Sequence, residues 1–195
     1  MKSIRLITSN LGKIEEISKH LKSFGITVIG KEMEVPEVGD KQEDIAKGKA
    51  KYAAKSVNKP VIVEDTGLYF DAYKDFPGIH SKFVFQKIGY DGIFRLLRDK
   101  SRKATFKTVI AYCESGKEPI IFVGINEGKM SDKLRGVSHP RLPYDSIFIP
   151  DGDDRTFAEM TKEEKAKYSA RAKAAGAFAK WFKKKLTTYS LELHC

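Results

Sequence analysis

The sequence predicts a mixed α/β fold, and three observations predict it. Short apolar runs alternate with helical periodicity through residues 3–64. Two long apolar runs, 104–114 and 118–130, have the length and composition of a β-hairpin. A further strand and a lysine-rich helical region then close the chain. Strands that alternate with helices and then pair as a hairpin place a sheet at the centre and helices on its faces.

The elements follow in order. "SIRLIT" (3–8) reads as a short buried strand. From Lys13 to Phe24, the residues Ile14, Ile17, Leu21 and Phe24 recur at helical spacing, and Gly25 stops that helix. "ITVIG" (26–30) is a second strand, and "EVPEVGD" (34–40) a loop punctuated by Pro and Gly. Residues 42–56 carry Ala and Ile at helical intervals, weakened at Gly48. "PVIVE" (60–64) is a strand, and "LYFDAYKDFPG" a ribbon ending in the Pro77-Gly78 turn. Residues 80–98 read as helix in two pieces around Gly89, the hairpin turns at Ser115-Gly116, and "DSIFIP" (145–150) is a last strand. Thr161 with Glu164 forms a capping box for the final helical region. That region is expected to run to Lys185, with Ala174, Ala177, Phe178 and Trp181 facing inward; the tail after Leu186 carries little signal.

At 195 residues the chain suits one domain with a substantial interior. Its 41% hydrophobic and 32% charged content is ordinary for a globular protein. No apolar run approaches the ~20 residues that span a bilayer, so no membrane association is expected. The apolar start is cut off by Thr8-Ser9-Asn10, too early for a signal peptide, and the expected location is cytoplasmic. The two cysteines, Cys113 in an apolar run and Cys195 at the last position, have no ligand spacing; neither a zinc site nor a disulfide framework is indicated. The net charge of +10 favours anionic partners, nucleotides and nucleic acids among them. A solvated lysine face accounts for such a surplus equally well.

Four constellations carry chemistry. "TSNLGK" (8–13) lies between the first strand and the first helix, where free backbone N–H groups and the helix dipole suit a phosphate. Thr8, Ser9 and Asn10 line that turn and Lys13 adds a charge, although one glycine does not make a Walker A cradle and a plain helix cap has the same sequence. Glu37 sits in a rigid loop, and Glu64-Asp65 closes a strand. Mg²⁺ takes one or two carboxylates together with phosphate oxygens and water. Successive strand residues point to opposite faces, so the two adjacent acids are not expected to line one site together. The lysines Lys49, Lys82 and Lys165 are the right charge for a triphosphate, but in so basic a chain composition alone does not select them.

"TSNLGK", "PEVG", "VIVEDTGLYFDA…FPGIHSKF", "YDSIF" and "FAEMTKEEKAKYSARAKA" occur in this order from position 8 to about 174, covering nearly the whole chain. Together they resemble the inosine triphosphate pyrophosphatase family, the HAM1-like or RdgB-like non-canonical purine nucleotide pyrophosphatases. The resemblance implies a two-lobed mixed sheet flanked by helices, forming a single domain over 1–195 with the active site in the cleft between lobes. It implies hydrolysis of ITP, dITP or XTP to the monophosphate and pyrophosphate, Mg²⁺ as cofactor, and usually a homodimer. Carried over by motif, Thr8, Ser9, Asn10 and Lys13 would hold phosphates. Glu37 and Asp65 would coordinate the metal, with Asp65 activating water and Glu64 supporting it. The family's lysine sixteen residues before that acid is Lys49. Thr66, Lys82, Leu142, Tyr144 and Asp145 would line the substrate site, with Lys165, Ser169 and Arg171 around the base or phosphates. If Lys165 and Arg171 meet one nucleotide, the helix carrying them should break near Tyr168, with Ser169 capping a second segment; a continuous helix is the alternative.

Two positions depart from the family pattern. The usual Phe-Gly-Tyr-Asp is Leu142-Pro143-Tyr144-Asp145 here, and the usual Ser-His-Arg is Ser169-Ala170-Arg171. Both fall on base recognition, so the expectation is retained chemistry with relaxed or altered base selectivity. A basic nucleic-acid-binding protein that has lost catalysis is the reading from another class, and a Maf-like pyrophosphatase for other nucleotides a related one. A pure binder has no need of Glu37 and Asp65 beside phosphate-binding lysines, so nucleic acid is not the expected partner.

Overall fold

The computed structural model describes residues 2–139 and 142–192. The first strand, β1 (Lys2–Ile7), pairs in parallel with β2 (Ile26–Lys31), and helix α1 (Leu11–Lys22) connects them. Helix α2 (Gln42–Val57) follows and packs on β3 (Val61–Phe70) through Ala46, Ala50, Ala53 and Ala54, all buried. The long hairpin is β5 (Lys103–Cys113) with β6 (Ile120–Met130), turning where Lys117 N–H donates to the Glu114 carbonyl at 3.0 Å. With β4 (Pro77–Gly78) and β7 (Phe148–Pro150) they form a seven-stranded mixed sheet ordered β2-β1-β3-β5-β6-β7, with β4 also paired to β3.

One detail of this topology positions the site. Strand β3 pairs with β5 along its whole length, from Val61–Cys113 to Phe70–Ala104. On its other edge β1 reaches only to the Ile7–Val63 pair, and β4 takes up pairing again at Leu68 and Tyr69. Residues 64–67 therefore lie in a gap between two short neighbours. Among the described residues no strand pairs with that edge at 64–67, along which Asp65 and Thr66 are part-exposed and Glu64 and Gly67 buried.

Helices α1 and α5 (Ala170–Glu192) cover one face over a core that includes Leu6, Ile62, Ile110 and Phe178. The other face is covered by α2, over Val61, Val63, Val109 and Ala111. A third cluster, with Phe70, Phe148 and Phe157, fills the far end under α3 (Ser81–Leu96). As the sequence suggests, α3 is two pieces: Gly89 sits at φ 59° and ψ −164°, a conformation that L side chains rarely adopt.

Four expectations change. The segment 145–150 is strand only over β7; Pro143–Ser146 forms a 3-10 turn instead. Bonds from Asp145 N–H to the Leu142 carbonyl and from Ile147 N–H to the Tyr144 carbonyl, 3.0 and 3.1 Å, tighten the chain, and Tyr144 Oη anchors it on the Ser81 carbonyl at 2.8 Å. The last helical region continues past Lys185 to Glu192, and Ala177 is exposed. The buried face of α5 is Ala174, Ala175, Phe178, Ala179 and Phe182; Ala177 lies about 100° round the helix from Phe178, away from Ala175 and Ala179. Strand β3 runs six residues beyond the expected end at Glu64, to Phe70.

The break expected near Tyr168 is present. Helix α4 (Lys162–Tyr168) opens on the Thr161–Glu164 capping box, and Ser169 (φ −50°, ψ 124°) leaves helical geometry. Ser169 Oγ then accepts from Ala172 N–H at 3.4 Å. The α5 start lies so close to β6 that a Cβ on Gly124 would be 2.0 Å from the Ala170 carbonyl, so only glycine fits there. Cys113 is buried, and Cys195 lies outside the described residues. Among the described residues no helix is long and apolar enough to cross a membrane.

Candidate active site

A cleft of about 900 Å³ opens over the gap in β3, and every site residue expected from the sequence lines it. The first wall is the β1–α1 turn, with Thr8, Ser9, Asn10 and Lys13. The turn is a helix cap. Asn10 Oδ1 caps α1 by accepting from Gly12 and Lys13 N–H at 2.9 and 3.3 Å, while its amide nitrogen is the donor that capping leaves over. Thr8 Oγ1 accepts from Asn10 N–H at 3.1 Å.

The second wall holds the carboxylates. Glu37 comes from the loop before α2 and Asp65 from the β3 gap. Lys49, on α2, stands between them, with Nζ 2.6 Å from Glu37 Oε1 and 3.8 Å from Asp65 Oδ1. Asp65 Oδ2 is buried without a hydrogen-bond partner. Burial pushes the Asp65 carboxyl above the usual carboxylate range, against the pull of Lys13 and Lys49. The hydrogen bond from Lys49 holds Glu37 below that range.

Strand alternation sends Glu64 to the other face, yet both acids border the cleft. This corrects the expectation that they would not share a site. The gap beside residues 64–67 lets one cleft reach both faces of the strand. Lys13 Nζ fills part of it, donating to the Glu64 carbonyl at 3.3 Å and pairing with Glu64 Oε2 at 2.6 Å. Arg171 Nε lies 3.1 Å from Glu64 Oε1, and Thr66 Oγ1 also donates to that oxygen. Burial raises the Glu64 carboxyl, but Lys13 and Arg171 outweigh it and hold it at about 2.

The third wall is the helix break. Lys165 Nζ is 2.6 Å from Asp145 Oδ2 and 2.7 Å from Glu16 Oε1, and Arg171 Nη1 pairs with Glu16 Oε2. Burial lifts the Asp145 carboxyl despite Lys165. Leu142, Tyr144 and Ser169 line the same end, and Lys82, at the start of α3, lines the side facing Glu37. Phe83, Phe85, Phe106 and Phe157 add apolar wall, and Lys165 sits 5.4 Å over the Phe157 ring.

Sequence reasoning missed Glu16, which ties Lys165 to Arg171. Its signal was its place three residues after Lys13, on the same helix face. It also missed Gln42, 2% exposed and bonded to the backbone at Asp65; a polar residue opening an alanine-faced helix was the only hint.

The Ham1 family profile matches residues 4–181 of the chain. A dITP/XTP pyrophosphatase of Methanopyrus kandleri is 44% identical over 90% of this chain and 94% of its own length. The chain belongs to the Ham1 family. A second dITP/XTP pyrophosphatase, from Thermococcus kodakarensis, is 43% identical over 94% of this chain and 98% of its own. Among solved structures, a HAM1 protein from Coxiella burnetii superposes with a TM-score of 0.78 at 28% identity, covering 94% of this chain and all of that one. The Ham1 fold is thus a mixed sheet flanked by helices, as the sequence predicts.

Proposed function

We propose that this Ham1 protein is a dITP/XTP pyrophosphatase that cleaves non-canonical purine nucleoside triphosphates to the monophosphate and pyrophosphate. The observation that carries the reading is the convergence of Glu37 and Asp65, from separate segments, on Lys49 at the cleft wall. The donor set fits a hard divalent cation: two carboxylates, one with a buried oxygen lacking a partner, facing a space large enough for phosphates. Glu37 and Asp65 would hold Mg²⁺, which supplies neutralisation of phosphate charge and a more acidic attacking water.

The chain's own groups do the rest. The β1–α1 turn and Lys13 bind phosphate oxygens through N–H donors and a fixed charge. Lys49 and Lys82 offset the charge that develops as pyrophosphate departs. Water attacks the α-phosphorus, the α–β anhydride bond breaks, and Asp65 takes the proton. At the other end Lys165, Ser169 and Arg171 present donors to the 6-keto oxygen of hypoxanthine or xanthine. Adenine offers an amino group there, and donor facing donor leaves buried groups unpaired. With Leu142 and Ala170 in place of the family's aromatic ring and histidine, base selectivity is relaxed. A homodimer is the assembly this reading carries.

The test is pyrophosphate release from a nucleotide panel with Mg²⁺, comparing the native chain with Asp65→Asn. Turnover abolished by Asp65→Asn is expected; a native chain that turns over no nucleotide refutes the assignment.

A further inference from the structure

Gln42 is the first residue of α2 and is almost wholly buried, and it is not among the residues that line the cleft. Its Nε2 donates to the carbonyl of Asp65 at 2.9 Å and to that of Lys107 at 3.0 Å. Its Oε1 accepts from Tyr69 Oη at 3.0 Å. The orientation of this amide follows from its partners: two carbonyls can only accept, so the nitrogen must face them and the oxygen must face the phenol. Every capacity of the side chain is aimed at the backbone beside Asp65 or at the tyrosine that orients it.

Tyr69 is itself held in place. Its ring passes over two glycines, where a Cβ on Gly67 would stand 2.9 Å from Cε2 and one on Gly78 3.2 Å from Cε1. Side chains there would push the ring off Gln42. The glycines of "EDTG" and "FPG" thus seat one phenol.

This clamp matters because of how α2 meets the sheet. Its buried apolar residues are Ala46, Ala50, Ala53 and Ala54, with Ile45 in the first turn the one larger side chain among them. Methyl groups set how closely the helix approaches, but they interlock weakly against sliding along its axis. Lys49, two turns from Gln42, must keep Nζ between Glu37 and Asp65, already 3.8 Å from the latter. A slide of one residue moves the helix by about 1.5 Å, enough to undo that bridge. Gln42 bonds the helix start to the very residue that Lys49 serves, and the Glu43–Lys107 ion pair braces it alongside.

We infer that Gln42, oriented by Tyr69, is a positioning residue that sets the axial place of α2 and so the Lys49–Asp65 geometry on which turnover depends. The inference rests on the proposed role of Asp65, so the experiment separates the two. Steady-state ITP hydrolysis is measured for the native chain, Asp65→Asn, Gln42→Leu, Tyr69→Phe, Lys49→Ala and the Gln42→Leu/Lys49→Ala pair, with thermal unfolding as a check on folding. Tyr69→Phe, which removes one hydroxyl only, keeps the test usable if Gln42→Leu fails to fold.

The expected result is a fall in kcat of roughly 10- to 100-fold for Gln42→Leu with little change in KM. Tyr69→Phe should show a smaller fall in the same parameter. In the Lys49→Ala background Gln42→Leu should cost little more, because the geometry it protects is already gone. Activity within threefold of the native chain for both single variants, or a Gln42 effect fully additive with Lys49→Ala, overturns the inference while Asp65→Asn still reports on the site. An inactive native chain, or an active Asp65→Asn, refutes the functional reading first and the positioning role with it.

Discussion

Replacing Glu64 by Gln tests whether the cleft is held open by compensated buried charge. Glu64 is fully inaccessible, lies between Lys13 at 2.6 Å and Arg171 at 3.1 Å, and is also bonded by Thr66. Removing its charge leaves the Arg171 guanidinium, still paired with Glu16, and the Lys13 ammonium facing a neutral amide. Breaking a buried ion pair by removing one partner costs roughly 3–5 kcal/mol. Gln keeps the shape and one acceptor, so the lower end, about 3 kcal/mol, applies. For a chain of this size that is a fall in Tm of about 6–12 °C. The same argument makes a second demand. In Glu64→Gln/Arg171→Met one of the two cations that faced Glu64 is gone, so the pair should lose less than the two single losses added. Calorimetry or circular dichroism on the four proteins reads both. A single-variant Tm within about 2 °C of native, or simple additivity in the double variant, refutes the reasoning.

Other outcomes follow from the same structure. Base selectivity should be weak: kcat/KM for ITP within about tenfold of that for GTP or ATP, and Leu142→Phe should raise the ITP value, since base–aromatic stacking is worth roughly 1–3 kcal/mol. Strong ITP preference in the native chain counts against this. Glu114 lies on the hairpin turn with Lys117 and Lys185 at 2.6 and 2.7 Å. Burial raises its carboxyl, but Lys117, Lys185 and Tyr112 outweigh that and hold it at about 2. A depressed carboxyl contributes stability above its unfolded value, and that contribution disappears as pH falls through 2. Glu114→Gln should therefore lower stability by about 1–2 kcal/mol at pH 7 after allowing for solvent screening. Titrating both proteins toward pH 2 should bring their unfolding curves together; a constant difference across that range is the contrary result.

Much of the fold was legible because its signals are local. Helical spacing in 13–24, the capping box at Thr161 and the paired runs around Ser115-Gly116 each act within one element. The segment 145–150 misled for the opposite reason. Its strand-like composition yields to a turn because Tyr144 is anchored on Ser81, far away in sequence. Ala177 misled because an alanine-rich helix has no periodic signal strong enough to orient it; Phe178 and Phe182 decide which side meets the sheet.

By itself, then, the sequence determined the mixed α/β class, the order of the elements and the candidate residues, since motif spacing and hydrophobic period are properties of the chain. What it could not determine is how Glu64 and Asp65 share a cleft. Side-chain alternation along a strand is a local rule, and it sends them to opposite faces. Only the tertiary structure, in which β1 stops at Ile7 and β4 resumes at Leu68, exposes that strand edge to one space. The same holds for Glu16 and Gln42. Each matters through partners on other elements, and no spacing within α1 or α2 encodes where those partners lie.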